Sequence, residues 1–416
     1  MLKKYSLKNG VRVVCEKLQY VRSVSVGIWV RTGSRDEDTR INGISHFIEH
    51  MLFKGTQSRT AAQIAEAIDN IGGQLNAFTG KECTCYYAKT LDEHIGIALD
   101  ILSDMFFNSV FANKDIALEK RVIIEEIGMY EDSPEDLVHD VLSETVWGGS
   151  SVGHPILGTK KSLRNINRER IMEYMRARYT PANTVISVAG NYDDAMLEEL
   201  LERYFGDWYP EASPDEEQNS AIFKPAVKVR QKDTEQVHIC IGFEGVKNGD
   251  DNLYPLLAVN NILGGGMSSK LFQRIREKKG LVYSIYSYPT TYKDTGLFTV
   301  YAGMKPDNLD EVIHLIYDEI RMMKKKGIPA SDLEKAKEQM KGNYILGLES
   351  TSSRMNSIGK SELLLGYINT PEEILNKIGS VTKEGVDAMA DRILDLDRKG
   401  ISIVGNVRNG SSPDAL

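Results

Sequence analysis

The chain carries one structural plan twice, and that duplication constrains its fold more than any single motif. Leu118-Glu119-Lys120 and Leu333-Glu334-Lys335 stand 215 positions apart. So do Gly190 and Gly405, which close the apolar strands Val185-Ile-Ser-Val-Ala-Gly190-Asn191 and Ile401-Ser-Ile-Val-Gly405-Asn406. A period this long marks a repeated domain, since solenoid units run to about 20–50 residues. In the first copy the strand Val24-Ser-Val26-Gly-Ile28 leads into a helix holding His46 and His50. A helix near 60–71, strands near 74–91 and helices over about 92–145 and 167–178 follow. The second copy repeats the order: Val237-His-Ile239-Cys-Ile241, helices near 253–263 and 268–279, strands near 282–303, helices near 307–326 and 330–365.

A chain of 416 residues exceeds one ordinary hydrophobic core. Pro210-Glu-Ala-Ser-Pro-Asp-Glu-Glu-Gln-Asn-Ser220 has two prolines, several acids and no hydrophobic periodicity, so it reads as a linker. The expected division is therefore 1–209, a linker over 210–220, and 221–416. Strands grouped with helices, without strict alternation, predict an α+β fold of two homologous domains. Each would be a mostly antiparallel sheet with helices packed on one face.

The opening Met-Leu-Lys-Lys-Tyr-Ser-Leu-Lys-Asn-Gly-Val-Arg-Val-Val has no apolar run of signal-peptide length and reads as a hairpin turning at Asn9-Gly10. No run approaches a membrane span. The net charge of −8 argues against sequence-independent nucleic-acid binding. Cys15, Cys83, Cys85 and Cys240 lack the C-x-x-C spacing of a zinc or redox site and read as buried strand residues. A reduced, cytoplasmic protein is expected, with a mature mitochondrial matrix protein as the alternative.

Chemistry concentrates in Ser45-His46-Phe-Ile-Glu49-His50-Met-Leu-Phe. Helical positions four apart lie one above the other, so both imidazoles can converge on one cation while Glu49 projects from nearly the same side. Zinc binds histidine nitrogen at about 2.0–2.1 Å, and a catalytic zinc keeps a position open for water. A carboxylate beside that water can take its proton. The order H-x-x-E-H reverses the commoner H-E-x-x-H and marks inverted zinc peptidases. Two solvated histidines on an amphipathic helix would be the bland alternative, but Phe47, Ile48, Met51, Leu52 and Phe53 embed the polar triplet in apolar surroundings. The remaining histidines, His94, His139, His154, His238 and His314, carry no ligand spacing.

Two histidines need a third ligand. In the helix Leu118–Ile127, Glu119 and Glu126 lie seven apart on one face, with Val122 and Ile123 expected to turn that stripe inward. Glu125, about 100° round the helix from Glu126, stays as the competing choice. In the second copy Leu256, Val259 and Asn260 stand where His46, Glu49 and His50 stand in the first, so that copy has no ligands.

Over nearly its whole length the chain resembles the pitrilysin-type (M16) zinc metallopeptidases, above all the short branch of mitochondrial processing peptidase β-subunits and bacterial homologues. The resemblance rests on His46-Phe-Ile-Glu49-His50, the later Glu-Glu-Ile, Asn76-Ala-Phe-Thr79-Gly-Lys-Glu82, Tyr86-Tyr87-Ala-Lys89, Gly264-Gly-Gly266-Met-Ser-Ser269 and Arg276-Glu-Lys-Lys-Gly-Leu-Val-Tyr283. It implies one Zn2+ per chain. The third ligand would follow His50 by 76 or 77 positions, which falls on Glu126 or Ile127, and only Glu126 can bind metal. It further implies Glu119 as an additional active-site glutamate, Tyr283 as donor to the oxyanion and Arg276 as donor to a substrate carbonyl. Asn76, Ala77, Phe78 and Thr79 would be an edge strand receiving extended peptide.

What the resemblance implies is a zinc-dependent endopeptidase acting on unstructured peptides or presequence-like segments, with Glu49 as general base. Two domains would form half of a clamshell chamber, implying a homodimer or a heterodimer with a ligand-less homologue. The rival is a non-catalytic structural or assembly subunit of the same fold.

Overall fold

The computed structural model describes residues 2–209 and 220–407. Almost all of the expected linker thus lies outside the described residues. Six strands form the first sheet: β1 (Leu2–Ser6), β2 (Arg12–Lys17), β3 (Ser23–Val30), β4 (Gln74–Thr79), β5 (Thr84–Leu91) and β6 (Thr184–Gly190), in the order β1-β2-β6-β3-β5-β4. Five form the second: β7 (Val227–Gln231), β8 (Val237–Glu244), β9 (Val282–Thr291), β10 (Gly296–Met304) and β11 (Lys399–Gly405), in the order β7-β11-β8-β10-β9. Apart from the extra β1, the orders match strand for strand. Each sheet is antiparallel except for one parallel pair involving the closing strand, β2 with β6 and β7 with β11. The expected hairpin is β1–β2, whose turn places Gly10 at φ 91°.

Each sheet carries a main helical layer on one face, as expected, and, among the described residues, one helix on the other. The need for a second cover is physical: β3 is buried from Val24 to Val30 and β6 throughout, so both faces must leave water. In the first sheet, Val14, Trp29, Cys85, Val185 and Ala189 are covered by Met355, Ile358 and Leu363 of the helix Thr351–Leu365. In the second, Cys240, Leu297, Tyr301 and Val404 are covered by Leu137, Val138, Val141 and Leu142 of the helix Pro134–Val146.

The two compact units are therefore not the two continuous halves expected. One takes the described residues of Met1–Ile127, His154–Gln218 and Leu346–Ile368; the other those of Gly128–Gly153, Asn219–Ile345 and Asn369–Leu416. Each copy gives one helix to the other copy's unit. The expected helix over 330–365 is accordingly two, Ala330–Gly347 and Thr351–Leu365, the second capped by the Ser350 side chain. The helix expected over 268–279 is a π-helical turn, Phe272–Glu277. Among the described residues no helix is long and apolar enough to cross a membrane.

Candidate metal centre

The helix Ile44–Leu52 brings the His46 and His50 rings to 4.4 Å between centroids, as the four-residue spacing predicts. The helix Asn113–Asp132 lies against it and contributes Glu126. Glu126 Oε2 stands 3.8 Å from His46 Nε2 and 3.8 Å from His50 Nε2. In a tetrahedral zinc site with bonds of about 2.0–2.1 Å, ligand atoms lie about 3.4 Å apart, so the trio fits a slightly open shell. Glu126 Oε2 is also buried with no hydrogen-bond partner among the described residues, an arrangement that a cation would satisfy. Among the described residues this is the one group of three or more such side chains close enough to share a metal. Glu125 is exposed.

The inward stripe on the second helix differs from expectation in one place. Ile116, Glu119, Ile123 and Ile127 face the core, whereas Val122 is 44% exposed. Glu119 is nonetheless buried, and its Oε1 lies 2.8 Å from His50 Nδ1. Lys54 Nζ approaches its other oxygen at 2.7 Å. Sequence reasoning missed Lys54, which stands four positions after His50, just past the end of the helix Ile44–Leu52.

Burial shifts three ionisable groups of this cluster toward their neutral forms. Burial, reinforced by the neighbouring His50, pushes His46 down to about 3, so its imidazole stays neutral and can ligate. Burial pushes Glu126 up against the opposing pull of His50, and Glu119 raises it further. Burial also raises Glu49, opposed first by the Thr79 hydroxyl, which donates to Glu49 Oε2.

Thr79 ends β4, the outermost strand of its sheet, so Asn76, Ala77, Phe78 and Thr79 do lie on an edge. Residues alternate along it, with Asn76 and Phe78 exposed and Ala77 and Thr79 half-buried. The Asn76 side chain accepts from the Ala77 amide. Beside this strand is a cavity of about 520 Å³ lined by Phe53, Ile64, Ile68, Leu75, Asn76 and Tyr87. Arg276 and Tyr283 belong to the other unit and come together there. The Arg276 guanidinium lies 4.7 Å from the Phe272 ring and 5.9 Å from that of Tyr283, which is 75% exposed. Leu256 and Val259 are core residues of that unit, where the first copy has His46 and Glu49. His139 is a half-buried and His238 a buried hydrogen-bonded histidine, and all four cysteines are buried and free.

Two sheets of matching topology and one two-histidine, one-glutamate cluster close enough to share a metal ion define a duplicated α+β protein. The chain belongs to peptidase family M16. The family model described as insulinase (peptidase family M16) matches residues 12–160, and that described as the peptidase M16 inactive domain matches 165–340. An uncharacterized zinc protease of Bacillus subtilis is 48% identical over 401 residues, covering 95% of this chain and 97% of its own. One of Streptomyces coelicolor is 38% identical, covering 98% and 90%. The crystal structure of a Helicobacter pylori protease shares the fold, with a TM-score of 0.89, 21% identity, and 97% and 99% of the chains covered.

Proposed function

We propose that this chain is a zinc-dependent endopeptidase of the inverted H-x-x-E-H type that cleaves unstructured peptides. His46, His50 and Glu126 would hold one Zn2+. The observation that carries the reading is the buried Glu126 Oε2, unpartnered among the described residues and 3.8 Å from each of two imidazole nitrogens, with Glu49 on the same helix as the histidines. Zinc supplies a Lewis acid for the scissile carbonyl and a water of lowered pKa. Glu49 would serve as general base and then general acid, holding and moving the proton at the carboxylate oxygen that Thr79 leaves free. Glu119 orients His50 through Nδ1, and the free edge of β4 pairs with extended substrate backbone, with the adjoining cavity taking a side chain.

Presequence-like segments fall within this substrate class. Tyr283 would donate to the oxyanion and Arg276 to a substrate carbonyl, a reading supported by the exposure of Tyr283. The working particle is a homodimer in this reading.

A second reading, a non-catalytic subunit, draws on the inactive-domain model matched by residues 165–340. That match spans the end of the first copy and much of the second, whereas His46, Glu49, His50 and Glu126 are all outside it. The test is cleavage of a mixed library of unstructured peptides by size-fractionated protein, with chelator and with zinc restored. Chelator-sensitive cleavage in the dimer fraction is expected; zinc-loaded protein that cleaves nothing would favour the second reading.

A further inference from the structure

The helix bearing both histidine ligands begins at a residue that cannot cap it. Gly43 holds the N-cap position at φ 94°, and a Cβ there would stand 2.6 Å from the Leu157 carbonyl oxygen. A Ser, Asp or Asn at that position, the usual source of an N-terminal cap, is thereby excluded. The first-turn amides are satisfied from outside the helix. Glu37 Oε2 accepts from Gly43 N at 2.6 Å and from Asn42 Nδ2 at 2.7 Å, and Oε1 accepts from Ser45 N at 2.8 Å. The carboxylate is 5% exposed and sits at the positive end of the helix dipole.

The two ligands on this helix are held differently. His50 is oriented by Glu119 through Nδ1. Among the described residues His46 has no hydrogen-bond partner at Nδ1, and it is the third residue of the helix, within the turn that Glu37 ties down. Its ring position thus rests on the backbone of its own first turn. We propose that Glu37 is the positioning residue for His46: by capping the helix from outside, it sets where His46 Nε2 stands relative to His50 and Glu126. The proposal depends on the metal reading above and adds to it a residue nine positions upstream of the first ligand.

A cap that merely stabilised the fold would behave differently from one that places a ligand. The discriminating experiment titrates Co(II), with Zn(II) competition, into wild type, Glu37→Gln and Tyr174→Phe, alongside thermal melts of the metal-free proteins. Tyr174 belongs to the same buried network, its hydroxyl 3.0 Å from Ser45 Oγ and 2.7 Å from Thr32 Oγ1, but it touches no first-turn amide. Glu37→Gln presents an amide NH2 to donors, and is expected to weaken Co(II) binding by about ten-fold or more and to shift its visible absorption. Tyr174→Phe is expected to lower the melting temperature and leave Co(II) affinity and spectrum as in wild type. Unchanged Co(II) binding by Glu37→Gln overturns the proposal, as does affinity lost by both variants in proportion to stability. Should Glu37→Gln not fold, Glu37→Asp keeps the charge but is one methylene too short to span both amides, and undiminished binding there overturns the proposal equally. Wild type that binds neither ion overturns the metal reading itself, a result separable from the variants behaving alike.

Discussion

Glu119 Oε1 and His50 Nδ1 lie 2.8 Å apart, and this contact decides which nitrogen of His50 is free for a metal. With Nδ1–H donating to the carboxylate, the Nε2 lone pair faces Glu126 and His46. Lys54 pairs with the other oxygen of Glu119 at 2.7 Å. Glu119→Gln should weaken zinc binding by about 10–100-fold without unfolding the chain. Competition with a chromophoric chelator checks this; wild-type affinity would mean that the contact does not orient the ligand.

Glu126→Gln should lower zinc content, because it removes the carboxylate 3.8 Å from both imidazoles. Exposed Glu125→Gln should leave zinc stoichiometric. Metal analysis of the purified variants decides between them, and the reverse pattern would move the third ligand to Glu125.

Glu49→Gln should retain zinc while slowing peptide cleavage by at least about 10²–10⁴-fold, the usual contribution of a positioned base. Its neutral amide can still accept from Thr79, so the local structure has no reason to change. Zinc-loaded variant with near-normal turnover would remove Glu49 from the mechanism.

Acid should loosen the second unit through His139. His139, on the helix Pro134–Val146, has its Nδ1 2.7 Å from the Tyr288 hydroxyl and 3.3 Å from Cys240 Sγ, with Tyr286 Oη 3.4 Å from its Nε2. Burial pushes the imidazole down to about 4, Asp136 opposing and His238 assisting. Unfolded chain takes up this proton near pH 6.5 and folded chain only near 4, so the stabilisation is present above about 6.5 and lost as pH falls toward 4. Melting temperature followed from pH 8 to pH 4 should fall less steeply for His139→Gln than for wild type; parallel curves would refute the assignment.

Gly359→Ala should cost about 1–3 kcal/mol, the usual penalty for overpacking. A Cβ there would lie 2.3 Å from Trp29 Nε1 and 2.7 Å from Ser187 Oγ, which are themselves hydrogen-bonded at 2.8 Å. Urea denaturation followed by tryptophan fluorescence measures the loss, and an undiminished midpoint would contradict such close packing of the exchanged helix.

The chain's own order of residues determined whatever depends on local geometry. The helix pitch alone brings His46 and His50 together, and the 215-residue repeat predicts two sheets of one topology, whose strand orders agree. Leu256 and Val259 already announced a second copy without ligands, and they are core residues. Tertiary structure decided what depends on segments distant in sequence. Val122 reads as inward on periodicity yet faces outward, because the partner surface sets how far round the helix its buried stripe extends. Thr79 reaches Glu49, Lys54 pairs with Glu119, and Glu37 caps a helix whose own N-cap has no room for a side chain. The exchange of helices between units is the largest such effect. An apolar strand states that both its faces must be covered, but which helix covers them is settled only by shape and volume once the sheet has formed.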